Sequence, residues 1–110
     1  MNQIFFKNVN INWERIDGGI QRKIFGYDNR IMMVIVDFKK GAIGTKHKHH
    51  HSQSTFIQKG VFEVTVGENK DTLKKGDGFF VPFDIEHGVL ALEDGILIDV
   101  FSPAREDFIK

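Results

Sequence analysis

A chain of 110 residues, 41% hydrophobic and carrying 11 Phe, is long enough to bury one core and too short for two. Its Lys plus Arg total of 15 equals its Asp plus Glu total of 15, which removes the basic field that a nucleic-acid binder uses. Cysteine is absent, so disulfides and thiolate metal sites are excluded.

Residues 1–110 are therefore expected to form a single domain, with no linker or solenoid-length repeat dividing them. The opening Met1-Asn2-Gln3-Ile4-Phe5-Phe6-Lys7 has neither a basic leader nor a long apolar run, so no secretory signal is expected. The longest apolar runs, such as Ile31 to Val36, are too short to span a bilayer. The expectation is a soluble cytoplasmic domain with neither membrane nor nucleic acid as a partner.

Short β-type runs separated by Gly, Asn and Asp turns fill the chain. An apolar stretch at Ile4 to Phe6 could add a strand to a partner's sheet, giving a homodimer, or pair within its own domain. Gly19 to Tyr27 closes at Asp28-Asn29, and Ile31 to Phe38 ends at Lys39-Lys40-Gly41. Thr55 to Gln58 turns at Lys59-Gly60 into Val61 to Val66, where Phe62, Val64 and Val66 share one face. Gly67 to Asp71 reads as a tight connection. Then come Thr72 to Lys74, Gly78 to Val81, Glu86 to Leu92 and Gly95 to Phe101. Pro103 to Phe108 reads as a short terminal helix, with Ser102 as N-cap and Pro103 at the first helical position. Many short antiparallel strands in one small domain make a sandwich or a barrel, and the pattern alone does not choose between them.

Four of the five histidines fall at His47, His49, His50 and His51, and the fifth is His87. On an extended chain His47, His49 and Gln53 point the same way. The same-face neighbours of His87 are Val89 and Ala91, small and apolar as a narrow barrel lining should be. Three imidazoles converging from two strands would hold a divalent ion and leave positions open for substrate. A solvated His-rich loop without metal gives the same composition. His50 is out of phase with the others, and His51 has the right parity only if the alternation survives a loop.

Asp99 interrupts the apolar run Gly95 to Phe101, in which both faces read as buried. A buried carboxylate is paired or functional. It is either a general acid/base beside the metal or half of an ion pair with Arg105 or a lysine. Arg105 either folds over the barrel mouth, where its planar fork suits a substrate carboxylate, or belongs to the charged tail beside Glu106 and Asp107.

The spacing Gly41, five residues, His47, one, His49, three, Gln53, six, Gly60 resembles the first cupin motif. Gly76, five residues, Pro82, one, Asp84, two, His87 resembles the second. The resemblance implies an all-β fold, the double-stranded β-helix or jelly-roll barrel, followed here by a short C-terminal helix or tail. It also implies one divalent metal ion (Ni, Zn, Mn or Fe) held by His47, His49, Gln53 and His87. Three positions depart from the usual pattern: Gln53 replaces glutamate, Asp84 replaces glycine and Ala91 replaces asparagine. A neutral fourth ligand leaves the ion's charge uncompensated and favours an anionic substrate.

Within the cupins the chain is similar to the KdgF-type pectin-degradation family. The similarity runs from Trp13-Glu14 through Arg22-Lys23, Tyr27-Asp28 and both motifs to Arg105-Glu106-Asp107-Phe108. That family also has glutamine as the fourth ligand. The resemblance implies action on 4,5-unsaturated monouronates from pectin or alginate, with conversion to open-chain 4-deoxy-5-keto uronates. It assigns functional positions to Asp99, Phe101 and Arg105: Asp99 to relay a proton, Arg105 to hold the carboxylate, Phe101 to wall the ring. The alternatives are a cupin that binds a sugar acid or effector without turnover, and a metal-dependent oxygenase or isomerase of another subfamily.

Overall fold

The computed structural model describes residues 3–16 and 18–109. Two antiparallel sheets face each other. The larger has the order β1-β2-β3-β10-β5-β8: β1 (Glu14–Ile16), β2 (Ile20–Tyr27), β3 (Met32–Phe38), β10 (Gly95–Ser102), β5 (Ser52–Lys59) and β8 (Gly78–Val81). The smaller has the order β4-β9-β6-β7: β4 (Ile43–His47), β9 (His87–Ala91), β6 (Val61–Val66) and β7 (Asn69–Lys74). This is the all-β jelly-roll architecture, closed by one short helix, α1 (Glu106–Ile109).

Cross-strand register sorts the inner face of the larger sheet into rows. Arg22, Val36, Leu97 and Ile57 form one; Ile24, Val34, Asp99, Thr55 and Phe79 the next; Met32, Phe101, Gln53 and Val81 the third. Opposite them, Phe62 and Val64 of β6 and Ala91 of β9 are buried, with Val66 packed against them. Phe62 is fully buried and meets Phe38 edge-on, the ring centroids 5.2 Å apart. Burying such a ring contributes about 1.5–3 kcal/mol. This plug lies at the Gly95–Leu97 end of β10. Beyond it, Asp99 and Gln53 bring polar groups into the interior.

Gly60 turns β5 into β6 with φ of 88°, and a Cβ there would lie 2.5 Å from the Asp94 carbonyl oxygen. Both the left-handed backbone and the clash oppose any side chain. Gly60→Ala is expected to cost at least about 2 kcal/mol, read as a lower urea midpoint with an unchanged slope.

The sequence pattern missed β1 and β4 and started β5 three residues late, at Thr55 instead of Ser52. The Gly67 to Asp71 connection shortens to Gly67-Glu68, because β7 already begins at Asn69 and pairs with Val66. The terminal helix does not start at Pro103. Ser102 is the last residue of β10, paired with Ser52, so it cannot cap a helix. Ala104 and Arg105 follow as buried coil before α1 begins. Residues Gln3 to Lys7 join neither sheet; Ile4 and Phe5 are exposed, and Phe6 packs against Phe25. Asp84 takes φ of 65°, a left-handed turn that aspartate tolerates, which is why it can stand where glycine is usual.

Candidate active site

His47 ends β4 and His87 opens β9, so the two are direct cross-strand partners. His49 comes from the loop after β4, and Gln53 from β5 across the barrel. The ligating atoms of His47, His49 and His87 lie within 4.8 Å of one another. Each ring uses its other nitrogen on a backbone carbonyl. His47 Nδ1 donates to Thr45 O (2.8 Å), His87 Nδ1 to Ile85 O (3.0 Å) and His49 Nδ1 to His51 O (3.2 Å). These bonds fix the tautomer and leave three bare Nε2 lone pairs facing a common point. Burial is the main reason that His49 is pushed down to about 4, with the charges of Arg105 and His87 next. Burial likewise lowers His87. Neutral imidazoles with converging lone pairs are what a metal ion needs.

Gln53 adds a fourth donor, an amide oxygen. Its Nε2 donates to Thr55 Oγ1 (2.9 Å) and Asp99 Oδ1 (3.3 Å). That fixes the amide, since a flip would set its oxygen against the Asp99 carboxylate. Oε1 therefore points the other way and sits 3.3 Å from His49 Nε2. With His49 protonated at Nδ1, these are two lone-pair atoms side by side with no proton between them, an arrangement that a shared cation stabilises. The donor set thus fits one divalent ion.

Asp99 is buried, and Thr55 Oγ1 donates to its Oδ1 at 2.6 Å. Burial pushes its carboxyl up to about 6, against the bonds from Thr55 and Gln53 and the nearby charge of Arg105. The ion-pair alternative is not realised: Arg105 instead places Nε and Nη2 on Asp107, at 2.9 and 2.7 Å. Nor is Arg105 a surface residue, because it is only 8% exposed. Its guanidinium lies over the rings of Phe101 (5.2 Å) and Phe108 (4.4 Å). Asp99, Phe101, Arg105, Gln53, His47 and His87 all line one cavity of about 240 Å³. That is smaller than the range of about 300–1,000 Å³ for drug-sized ligands and suits a single sugar ring.

The two remaining histidines stand outside the cluster. His50 is exposed and faces Asp84 at 3.4 Å. His51 turns its Nε2 to the Ala104 carbonyl (3.2 Å). Three site residues escaped the sequence reading. Thr55 has the parity of Gln53, a signal that was available. Arg22 and Phe108 also line the cavity, and only the folded register brings them there.

A jelly roll with a three-histidine centre inside one end defines a class. Residues 34–101 match the model of the cupin domain, and the chain belongs to that family. It is 45% identical over 107 residues to the pectin degradation protein KdgF of Dickeya dadantii (strain 3937), spanning 96% of this chain and 97% of that one. Two solved structures are similar throughout. KdgF from Halomonas sp. has a TM-score of 0.92 and 41% identity, over 97% of this chain and 99% of that one. An RmlC-like cupin from Shewanella frigidimarina NCIMB 400 has a TM-score of 0.95 and 42% identity, over 97% and 96%. These matches put the chain in the KdgF-type branch of the cupins.

Proposed function

We propose that this protein is a metal-dependent enzyme that opens 4,5-unsaturated monouronates from pectin or alginate breakdown to 4-deoxy-5-keto uronates. The observation that carries the reading is a buried carboxyl, Asp99, hydrogen-bonded to Gln53 and lining the same ring-sized cavity as His47 and His87. The identity to KdgF over nearly the whole chain supports the substrate class.

The substrate is a cyclic enol ether with a carboxylate on C5. Opening it requires a proton at C4 and addition of water at C5. The resulting hemiketal then breaks its bond to the ring oxygen, which takes up the proton that the C5 hydroxyl releases; C1 is left as an aldehyde hydrate, and its loss of water returns the molecule added and gives the open-chain isomer of the substrate. Asp99, with its carboxyl pushed up to about 6, can hold and return a proton near neutral pH. Thr55 and Gln53 hold it in place and leave one carboxyl oxygen for the substrate. Arg105 keeps Nη1 free of Asp107 and binds the carboxylate. Phe101 walls the ring and helps to exclude water. A divalent ion held by His47, His49, His87 and Gln53, of the Ni, Zn, Mn or Fe type, would supply Lewis-acid stabilisation of the carboxylate and an adjacent oxygen.

The test follows loss of the conjugated enol absorbance of unsaturated galacturonate with metal-loaded protein. A rate above the spontaneous one supports the reading, and a rate equal to it overturns it. Gln53→Glu is a sharper probe, because it places a second carboxylate against Asp99, and two adjacent carboxylates share one proton. The variant should bind metal at least as well and turn over at least about tenfold slower.

We also propose a cytoplasmic homodimer. No helix among the described residues is long and apolar enough to cross a membrane. Phe56 and Phe80 are exposed on the outer face of the larger sheet, on its neighbouring strands β5 and β8, and such an apolar pair favours a second copy. Sedimentation should give twice the chain mass, and Phe56→Lys with Phe80→Lys should give the monomer.

A further inference from the structure

Arg22 stands in the inner row with Val36, Leu97 and Ile57, where apolar residues would serve packing better. Its side chain is 15% exposed, and its Nε donates to Glu14 Oε1 at 2.7 Å from the paired position on β1. Its guanidinium carbon lies 3.8 Å from the centre of the Phe108 ring, the ring that Arg105 also covers. Phe108 thus braces two cations that line the same cavity.

They are braced differently. Arg105 meets Asp107 through Nε and Nη2. Arg22 spends only Nε on Glu14, so both of its terminal nitrogens remain for a ligand among the described residues. Ile16, Ile20, Val36 and Phe38 supply the cavity wall around it, which leaves a substrate as the natural acceptor for those donors. Arg22 lies two residues along the strands, about 6–7 Å, and two strands across, about 10 Å, from Asp99, and both line the cavity, which leaves room for one sugar ring between their side chains.

We propose that Arg22, set by Glu14 and Phe108, is a specificity-determining residue that binds the hydroxyl-bearing edge of the sugar ring, opposite the carboxylate held near Arg105. The proposal rests on the uronate reading above and extends it: the site selects polyhydroxylated uronates over other small carboxylates of similar length. The β1–β2 hairpin, which contributes nothing to the metal centre, then has a role as the wall that carries this residue.

The test combines Arg22→Met and Arg22→Lys with substrate analogues that lack the 2- or 3-hydroxyl. Wild-type protein should bind at least one deoxy analogue on the order of tenfold more weakly than its parent. Arg22→Met should raise KM for unsaturated galacturonate by a similar factor, keep kcat within about threefold, and bind parent and deoxy analogue alike. Arg22→Lys should recover part of the discrimination. A merely structural arginine would weaken every analogue equally, and that result, or an unchanged KM, overturns the proposal. Calorimetry with saturated D-galacturonate and its deoxy analogues reads the same discrimination without turnover. A wild-type protein that fails to turn over unsaturated uronates but discriminates there would therefore sink the enzymatic reading and leave Arg22 standing.

Discussion

Asp99→Asn is expected to lower turnover of unsaturated galacturonate by about 10²–10⁴-fold, with metal content and folding retained. The substitution keeps the shape and the acceptor oxygen that Thr55 Oγ1 donates to at 2.6 Å. It removes the group that can give and take a proton. It also removes a carboxyl that burial holds up at about 6, so an ionised Asp99 is a burden on the fold at neutral pH. Thermal unfolding of Asp99→Asn should therefore occur at the wild-type temperature or above it. Lost activity with an unchanged or higher Tm marks a carboxyl kept for chemistry. Lost activity with a lower Tm would mean that the charge itself held the barrel together.

The same residue shows what was legible in the sequence. The run Gly95 to Phe101 alternates between two apolar faces, so an acid within it had to be buried whichever face looked inward. Phe62, Val64 and Val66 were equally plain, because one face of β6 packs against the core. β4 was not legible. It is an edge strand, exposed at Ile43, Thr45, Lys46 and His47, and without a buried face there is no alternation to read. β1 is too short to set a period at all. The three histidines and Gln53 were readable from spacing, but the reason for the Gln53 orientation was not. It depends on Thr55 and Asp99, which meet it only through the pairing of β5 with β10. Arg22 and Phe108 are a similar case. Nothing local in β2 or the tail tells that their side chains stack.

Stripping the protein with a chelator should lower its Tm, and adding back a divalent ion should restore it. An ion at a thousandfold over its Kd adds about 4 kcal/mol to stability, which for a domain of this size raises Tm by on the order of 20 °C. His49→Ala should abolish that rise and reduce turnover at least about a hundredfold. His49 is the informative position because it sits in a loop and is only half-buried, so its truncation costs the barrel little. His87 is 4% exposed at the start of β9, and losing it would confuse metal loss with a packing defect. His51→Ala is the matched control: its ring lies edge-on to that of His49, the centroids 5.1 Å apart, and its Nε2 is on the Ala104 carbonyl, but its buried, unpaired Nδ1 is not one of the three converging ligand atoms. If His51→Ala lost the metal-dependent rise and His49→Ala kept it, the ion would belong to a different set of ligands. Retention in His51→Ala together with loss in His49→Ala assigns it to the lone pairs that converge from β4, β9 and the loop between β4 and β5.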